Sequence, residues 1–124
     1  MIKVVQLASR KTGMTRSAFK DHYEHVHVPL ILKHLPFMTT FRRNYPILDD
    51  PATFDERTSF AAVLPFERQS AFDVLTEMIL PSREELAKMF ETYMSPSVHA
   101  EIVADERIFV KPKSVRRFIV DVFE

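Results

Sequence analysis

The chain predicts an α+β fold: a four-stranded antiparallel sheet with two helices on one face. Three observations predict it. Apolar periodicity along the 124 residues runs strand, helix, strand, strand, helix, strand, which is the order of the ferredoxin-like βαββαβ arrangement. The composition supports a core, with 46% hydrophobic residues, 11 phenylalanines and 6 methionines. Only one glycine is present, Gly13, and that excludes glycine-rich phosphate loops and dinucleotide folds. The length suits one domain, residues 1–124.

Residues 2–8, "IKVVQLA", are short and rich in β-branched side chains, so they predict the first strand. Gly13 supplies the turn, and Thr15 is the N-cap of the helix that follows. Phe19, Tyr23, Val26 and Leu30 recur at helical spacing. Pro29 lacks the amide hydrogen that a continuous helix needs, so either the helix kinks there or a second one begins. "FMTTFRRNYPI" (37–47) predicts the second strand, closed by Pro46. Residues 48–70 read as a turn at Asp49-Asp50-Pro51 and then a short helix, strand or packed loop. "AFDVLTEMIL" (71–80) predicts the third strand. Ser82 and Glu85 form a capping box for a second helix that buries Leu86, Met89, Phe90 and Tyr93 and closes at Ser95-Pro96. A brief helical turn fits 97–103, and "SVRRFIVDVFE" (114–124) predicts the last strand.

Both faces of the strands are substantially apolar. Phe118, Val120 and Val122 alternate with Val115, Ile119 and Phe123; Val74, Met78 and Leu80 alternate with Leu75 and Ile79. Two helices cover only one face. The other is expected to meet a second copy, giving a homodimeric α+β barrel, unless residues 48–70 fold over it.

Charge and cysteine content narrow the function. Lys plus Arg and Asp plus Glu balance at 17 each, which argues against a nucleic-acid partner held by phosphate neutralisation. There is no cysteine, hence no disulfide and no thiolate chemistry. No leader pattern opens the chain and no window is long and apolar enough for a membrane span. A soluble, cytoplasmic protein is the default expectation.

Four of the five histidines fall within "DHYEHVHVPLILKH" (21–34). Taking Phe19 as the centre of the buried helix face, Tyr23 lies about 40° round, His27 about 80° and His34 about 60°, all on one side. His22 flanks the other side and His25 faces solvent. No two histidines stand four apart here with a carboxylate at the right offset, so no metal site is predicted. Acid–base chemistry fits better, because a part-buried imidazole exchanges protons near neutrality without a cofactor. His27 is the candidate general base and acid. Tyr23, one turn earlier, is placed to hold or polarise a substrate oxygen. Gln6, Glu77 and Asp121 are polar groups on otherwise apolar strands. Glu77 is the candidate to orient the imidazole, and its structural alternative is an ion pair with Arg43 or Arg117. His22 is a further catalytic candidate. Phe19, His34, Phe41, Met78 and Phe90 are expected to line a soft apolar pocket for a small hydrophobic aromatic substrate.

"FKDHYEHVHVPLI" (19–31) closely resembles the first-helix signature of the EthD family of dimeric α+β barrels, through Phe19, Tyr23-Glu24, His27, Pro29 and Leu30. "ADERIFV" (104–110) resembles its later element through Asp105, Glu106 and Phe109. "MIKVV", the Arg43-Asn44 pair and "DVLTEM" (73–78) also fit. His22 departs from the pattern, standing where that family often has an aromatic residue. The flavour is closest to fungal polyketide-tailoring members. The resemblance implies a cofactor-independent lyase (decarboxylase, dehydratase or cyclase) acting on an aromatic or polyketide-like carbonyl compound. Two alternatives follow from the same resemblance: a non-catalytic accessory or small-molecule-binding protein of an oxidative degradation pathway, and a haem or cofactor-free monooxygenase.

Overall fold

Strict alternation in two strands sets the sheet. In β1 (Ile2–Ala8) and β3 (Val74–Leu80) every second side chain is buried, as a pleated ribbon with one covered face requires. The structure, a computed structural model, describes residues 1–47 and 71–123. The expectations for residues 48–70 lie outside the described residues. β2 (Thr40–Asn44) and β4 (Arg116–Val120) flank the central pair in the order β2-β3-β1-β4, and all neighbours are antiparallel. This is the ferredoxin-like α+β topology. Both edge strands are shorter than the sequence suggests.

The first helical segment is one continuous path with a wide turn inside it. Thr15 caps α1 (Arg16–His22), its Oγ1 accepting from the Ala18 N–H at 3.1 Å. A π-helical turn follows at Tyr23–His27, and the Val28 N–H reaches back five residues to the Tyr23 carbonyl. α2 (Val28–His34) then begins with Pro29 in its first turn. A second helix therefore does begin here, joined to the first through the π turn rather than by a break. The missing donor of Pro29 falls where the ladder is already changing register.

The second helical segment is longer than its periodicity suggests. α3 (Arg83–Tyr93) starts at Ser82, whose Oγ accepts from the Glu85 N–H at 3.2 Å. The capping box is only half made, since the Glu85 carboxylate bonds Lys88 instead. Pro96 does not close the segment; it opens α4 (Pro96–Phe109), where proline suits a first turn. The brief turn expected at 97–103 is the start of this 14-residue helix. No helix among the described residues is long and apolar enough to cross a membrane.

Two apolar clusters fill the helix face of the sheet. One gathers Ile2, Val4, Met78 and Leu80 with Ile31, Leu35, Leu86, Met89 and Ile102. The other gathers Ala8 and Val74 with Phe19, Tyr23, Val28, Phe109 and Val110. Between them the register places Gln6 opposite Thr76. The rung extends to both edges, to Arg117 on β4 and Arg43 on β2. Four polar residues thus cross the sheet on its covered face, one per strand.

The opposite face carries Val5, Leu7, Leu75, Ile79, Phe118 and Val120 around a Lys3–Glu77 ion pair. Arg42 and Asn44 lie beside Glu77. Phe118 and Val120 share this face as expected, while Val122 lies beyond the end of β4.

Phe109 is fully buried against Phe19, Tyr23, His22 and His27, with ring centroids 4.5–5.7 Å apart. Phe109→Ala is expected to cost about 3–5 kcal/mol of unfolding free energy in urea titrations. Ile108→Ala, at the exposed neighbouring position, is expected to cost within about 0.5 kcal/mol. Equal losses would contradict this placement of the core.

Candidate functional site

The π turn and the polar rung meet at a pocket. Its atom-free space is about 600 Å³ counted with the open mouth, of which about 70 Å³ admits the centre of a water molecule. Ile31, Leu35, Met78, Met89, Phe90 and Ile102 form much of its apolar wall. Gln6, Tyr23, His27, Thr76, Glu106 and Arg117 supply the polar groups.

His27 owes its place to the wide turn. At α-helical pitch, residues four apart drift round the helix, and His27 stands well off the line of Phe19. The five-residue hydrogen bond adds backbone to that turn and draws Tyr23 and His27 back towards one line. Both are buried, at 2% and 3% exposure. Widened turns of this kind concentrate at functional sites.

A single carboxylate holds two imidazoles. Asp105 Oδ2 lies 2.9 Å from His27 Nδ1, and Oδ1 lies 2.8 Å from His22 Nε2. A carboxylate offers only lone pairs, so each ring nitrogen facing it carries the hydrogen and donates. Burial holds the His27 imidazole below its ordinary value of 6.5, against the opposing pull of Asp105. At neutral pH the ring is therefore uncharged, with its proton on Nδ1 and a lone pair on Nε2. Nε2 has no hydrogen-bond partner among the described residues.

The other polar groups are mostly engaged. The Tyr23 and Thr76 hydroxyls share a hydrogen bond at 2.7 Å, and burial pushes the Tyr23 phenol up to about 12. Arg117 Nε donates to Gln6 Oε1 at 2.7 Å, and its Nη2 lies 3.9 Å from Glu106. Arg43 clasps Glu24 with two donors at 2.9 and 2.7 Å, and Tyr45 donates to the same carboxylate. The Arg43 bond holds Glu24 low, while burial and the Glu24 bond push Tyr45 up.

His27, Tyr23, Phe41, Met78 and Phe90 border the pocket, as their candidacy requires. Phe19 packs in the core behind Tyr23, at 1% exposure. His22 stands outside the pocket, on the far oxygen of Asp105. His34 bonds Glu101 at 2.8 Å, away from the cavity. Glu77 lies on the opposite face of the sheet, so it does not reach His27. Its carboxyl is held low by Lys3 and then Asn44, not by Arg43 or Arg117. Asp105 takes the orienting position instead. In the sequence Asp105 stands only as part of the late family element, although Val98, Ile102, Asp105 and Phe109 recur at 4, 3 and 4. The acid at the centre of that stripe masks the helix. His99, for which the sequence offered no role, sets its ring edge-on to Tyr93 at 5.1 Å. No group of His, Asp and Glu among the described residues is arranged to hold a metal ion.

Comparison with known proteins places this geometry in a family. The EthD domain profile matches residues 11–113. No functionally curated protein matches the chain. An EthD family protein of Bacillus halodurans superposes with a TM-score of 0.62 at 20% identity, covering 99% of each chain. HapK from Hahella chejuensis gives 0.61 at 10% identity, over 99% of this chain and 93% of its own. A protein of Thermobifida fusca, described as dimeric, ferredoxin-like and of unknown function, gives 0.52 at 12% identity, over 98% and 90%. At such identities the structures share the fold. The profile covers most of the sequence, and the chain belongs to the EthD domain family.

Proposed function

We propose that the pocket takes a hydrophobic, carbonyl-bearing compound of aromatic or polyketide type, and that His27 moves a proton on it as base and then acid. The reaction class is a cofactor-independent lyase or cyclase step that passes through an enol or enolate. One observation carries this reading: a buried neutral imidazole, backed by a carboxylate, with an unengaged nitrogen beside an apolar cavity. Tyr23 stays a phenol at neutral pH and shapes the pocket with Thr76. Asp105 fixes the tautomer of His27 and stabilises the imidazolium that forms when the ring takes a proton.

The sheet face away from the described helices supports a second element of the reading. Six apolar side chains surround one ion pair there, and a second copy of the chain covers them. The Thermobifida fusca neighbour is described as dimeric. Sedimentation at micromolar concentration is expected to give a dimer, with Val5→Glu shifting it to monomer. A monomeric wild type would overturn this element.

Proton transfer is measurable on a simple surrogate. The protein is expected to speed exchange of the α-hydrogens of 2-tetralone in deuterium oxide. His27→Ala and Asp105→Asn are each expected to reduce that acceleration by about 10²–10⁴-fold. Binding without faster exchange in the wild type would leave a small-molecule binder in place of an enzyme.

Stability should report the same imidazole. Unfolded, the ring takes a proton near pH 6.5; native, burial defers it to lower pH. The unfolded state then binds more protons, so stability falls as pH drops from 6.5. Glu24 and Glu77, held below 4.5, add their losses only in more acid solution. Urea midpoints between pH 7.5 and pH 5 are expected to fall less steeply in His27→Gln than in wild type. Parallel slopes would refute the buried neutral ring.

A further inference from the structure

Gln6 carries an unengaged donor of the pocket. It sits on the central strand β1 between Val4 and Ala8, at 9% exposure. A buried primary amide is costly unless its donors and acceptor are met. Its orientation follows from chemistry. Arg117 Nε approaches one amide atom at 2.7 Å, and a guanidinium can only donate. That atom is therefore the oxygen, and the NH2 group turns the other way. Among the described residues this NH2 has no partner. Among the described residues it is not a sealed, unpartnered atom either. Gln6 lines the pocket, and we take its NH2 as the amide group offered there.

We propose that Gln6 is the oxygen-binding donor of this pocket, holding the carbonyl oxygen of a neutral ketone or β-dicarbonyl ligand beside His27. The ligand class rests on the functional reading above; the donor assignment does not. Gln6 pairs across the sheet with Thr76, which holds Tyr23, whose ring lies 5.1 Å from that of His27. The Gln6 donor and the His27 lone pair therefore border one cavity of largely apolar wall, with Arg117 and Glu106 as a charged pair beside them. Their complement is a hydrophobic molecule with an acceptor oxygen and an acidic C–H beside it. Arg117 strengthens the amide as a donor by polarising its oxygen. Glu106, 3.9 Å from Arg117, offsets that positive charge, so the site favours a neutral carbonyl over a permanent carboxylate. The step balances without an oxidant. The C–H proton passes to His27 Nε2 and its electron pair becomes the C=C bond. The carbonyl π pair moves to oxygen, where the Gln6 N–H stabilises it. Return of the proton reverses the flow.

Tetralin and 2-tetralone test this, because they differ by one carbonyl oxygen. Wild type is expected to bind 2-tetralone about tenfold more tightly than tetralin, the worth of one net hydrogen bond. Gln6→Glu keeps the Arg117 contact as an ion pair but replaces the donor with lone pairs. Gln6→Met keeps the length and removes all polarity. Both are expected to lose the preference while binding tetralin as before, and to slow α-hydrogen exchange by about 10²-fold. His27→Ala is expected to keep the preference and lose exchange. A preference that survives in either Gln6 variant, or is absent from wild type, overturns the assignment. A Gln6-dependent preference without exchange in wild type supports Gln6 and removes the proton-transfer reading instead.

Discussion

A polar rung across the covered face of the sheet, buried at Gln6 and Thr76 in its centre, sets the terms for everything packed on it. Arg43, Thr76, Gln6 and Arg117 follow one another across the four strands. Their hydrogen-bonding groups call for polar partners, and the helices supply several of them. Glu24 answers Arg43 and Tyr23 answers Thr76. Glu106 stands near Arg117, which also holds Gln6. Glu24 and Tyr23 are consecutive in the π turn, so the rung fixes where that turn sits over the sheet. The apolar clusters on either side then follow, and the pocket lies where they do not close over the rung.

Asp105 adds the constraint from the second helical segment. Its carboxylate is nearly buried, and two imidazole N–H groups satisfy it. Removing one member of such a set typically costs about 1.5–3 kcal/mol, because the carboxylate loses a hydrogen-bond donor. The interaction therefore ties α4 to α1 and the π turn, besides orienting His27. Phe109, one turn further along α4, packs on both imidazoles. The same contacts serve cohesion and ring placement.

The parts legible in the sequence were those set by local chemistry. Thr15 and Ser82 cap helices because their hydroxyls meet amides three residues on. The strands were legible in their centres, where β-branched runs alternate, and not at their ends, where pairing decides. The π turn was not legible, since no residue type marks a five-residue hydrogen bond. Pro29 marked the start of the second helix, not the wide turn before it. Thr76 read as an ordinary strand residue because threonine favours strands whatever its partner. Glu77 looked more functional than Thr76 only because register is invisible in one sequence. A shift of one position exchanges the two faces of a strand, and here it sends Glu77 to the side away from His27. Asp105 was visible as part of a motif, but its partners lie 78 and 83 positions away.

The free amide of Gln6 and the free ring nitrogen of His27 sit at points where the fold has already done its structural work. Gln6 meets Arg117 with its oxygen, and His27 meets Asp105 with Nδ1. The remaining amide and ring nitrogen contribute nothing to cohesion. Left facing an apolar wall, each would carry a desolvation penalty of about 1–3 kcal/mol. A sequence selected for stability alone would place an apolar side chain at both positions, as it does at Val4 and Ile31 nearby. Stored polarity of this kind, held rigidly by a second group behind it, is the arrangement expected of a site that waits for a ligand. Because one group donates and the other accepts, the ligand it waits for has both an acceptor oxygen and a proton to give.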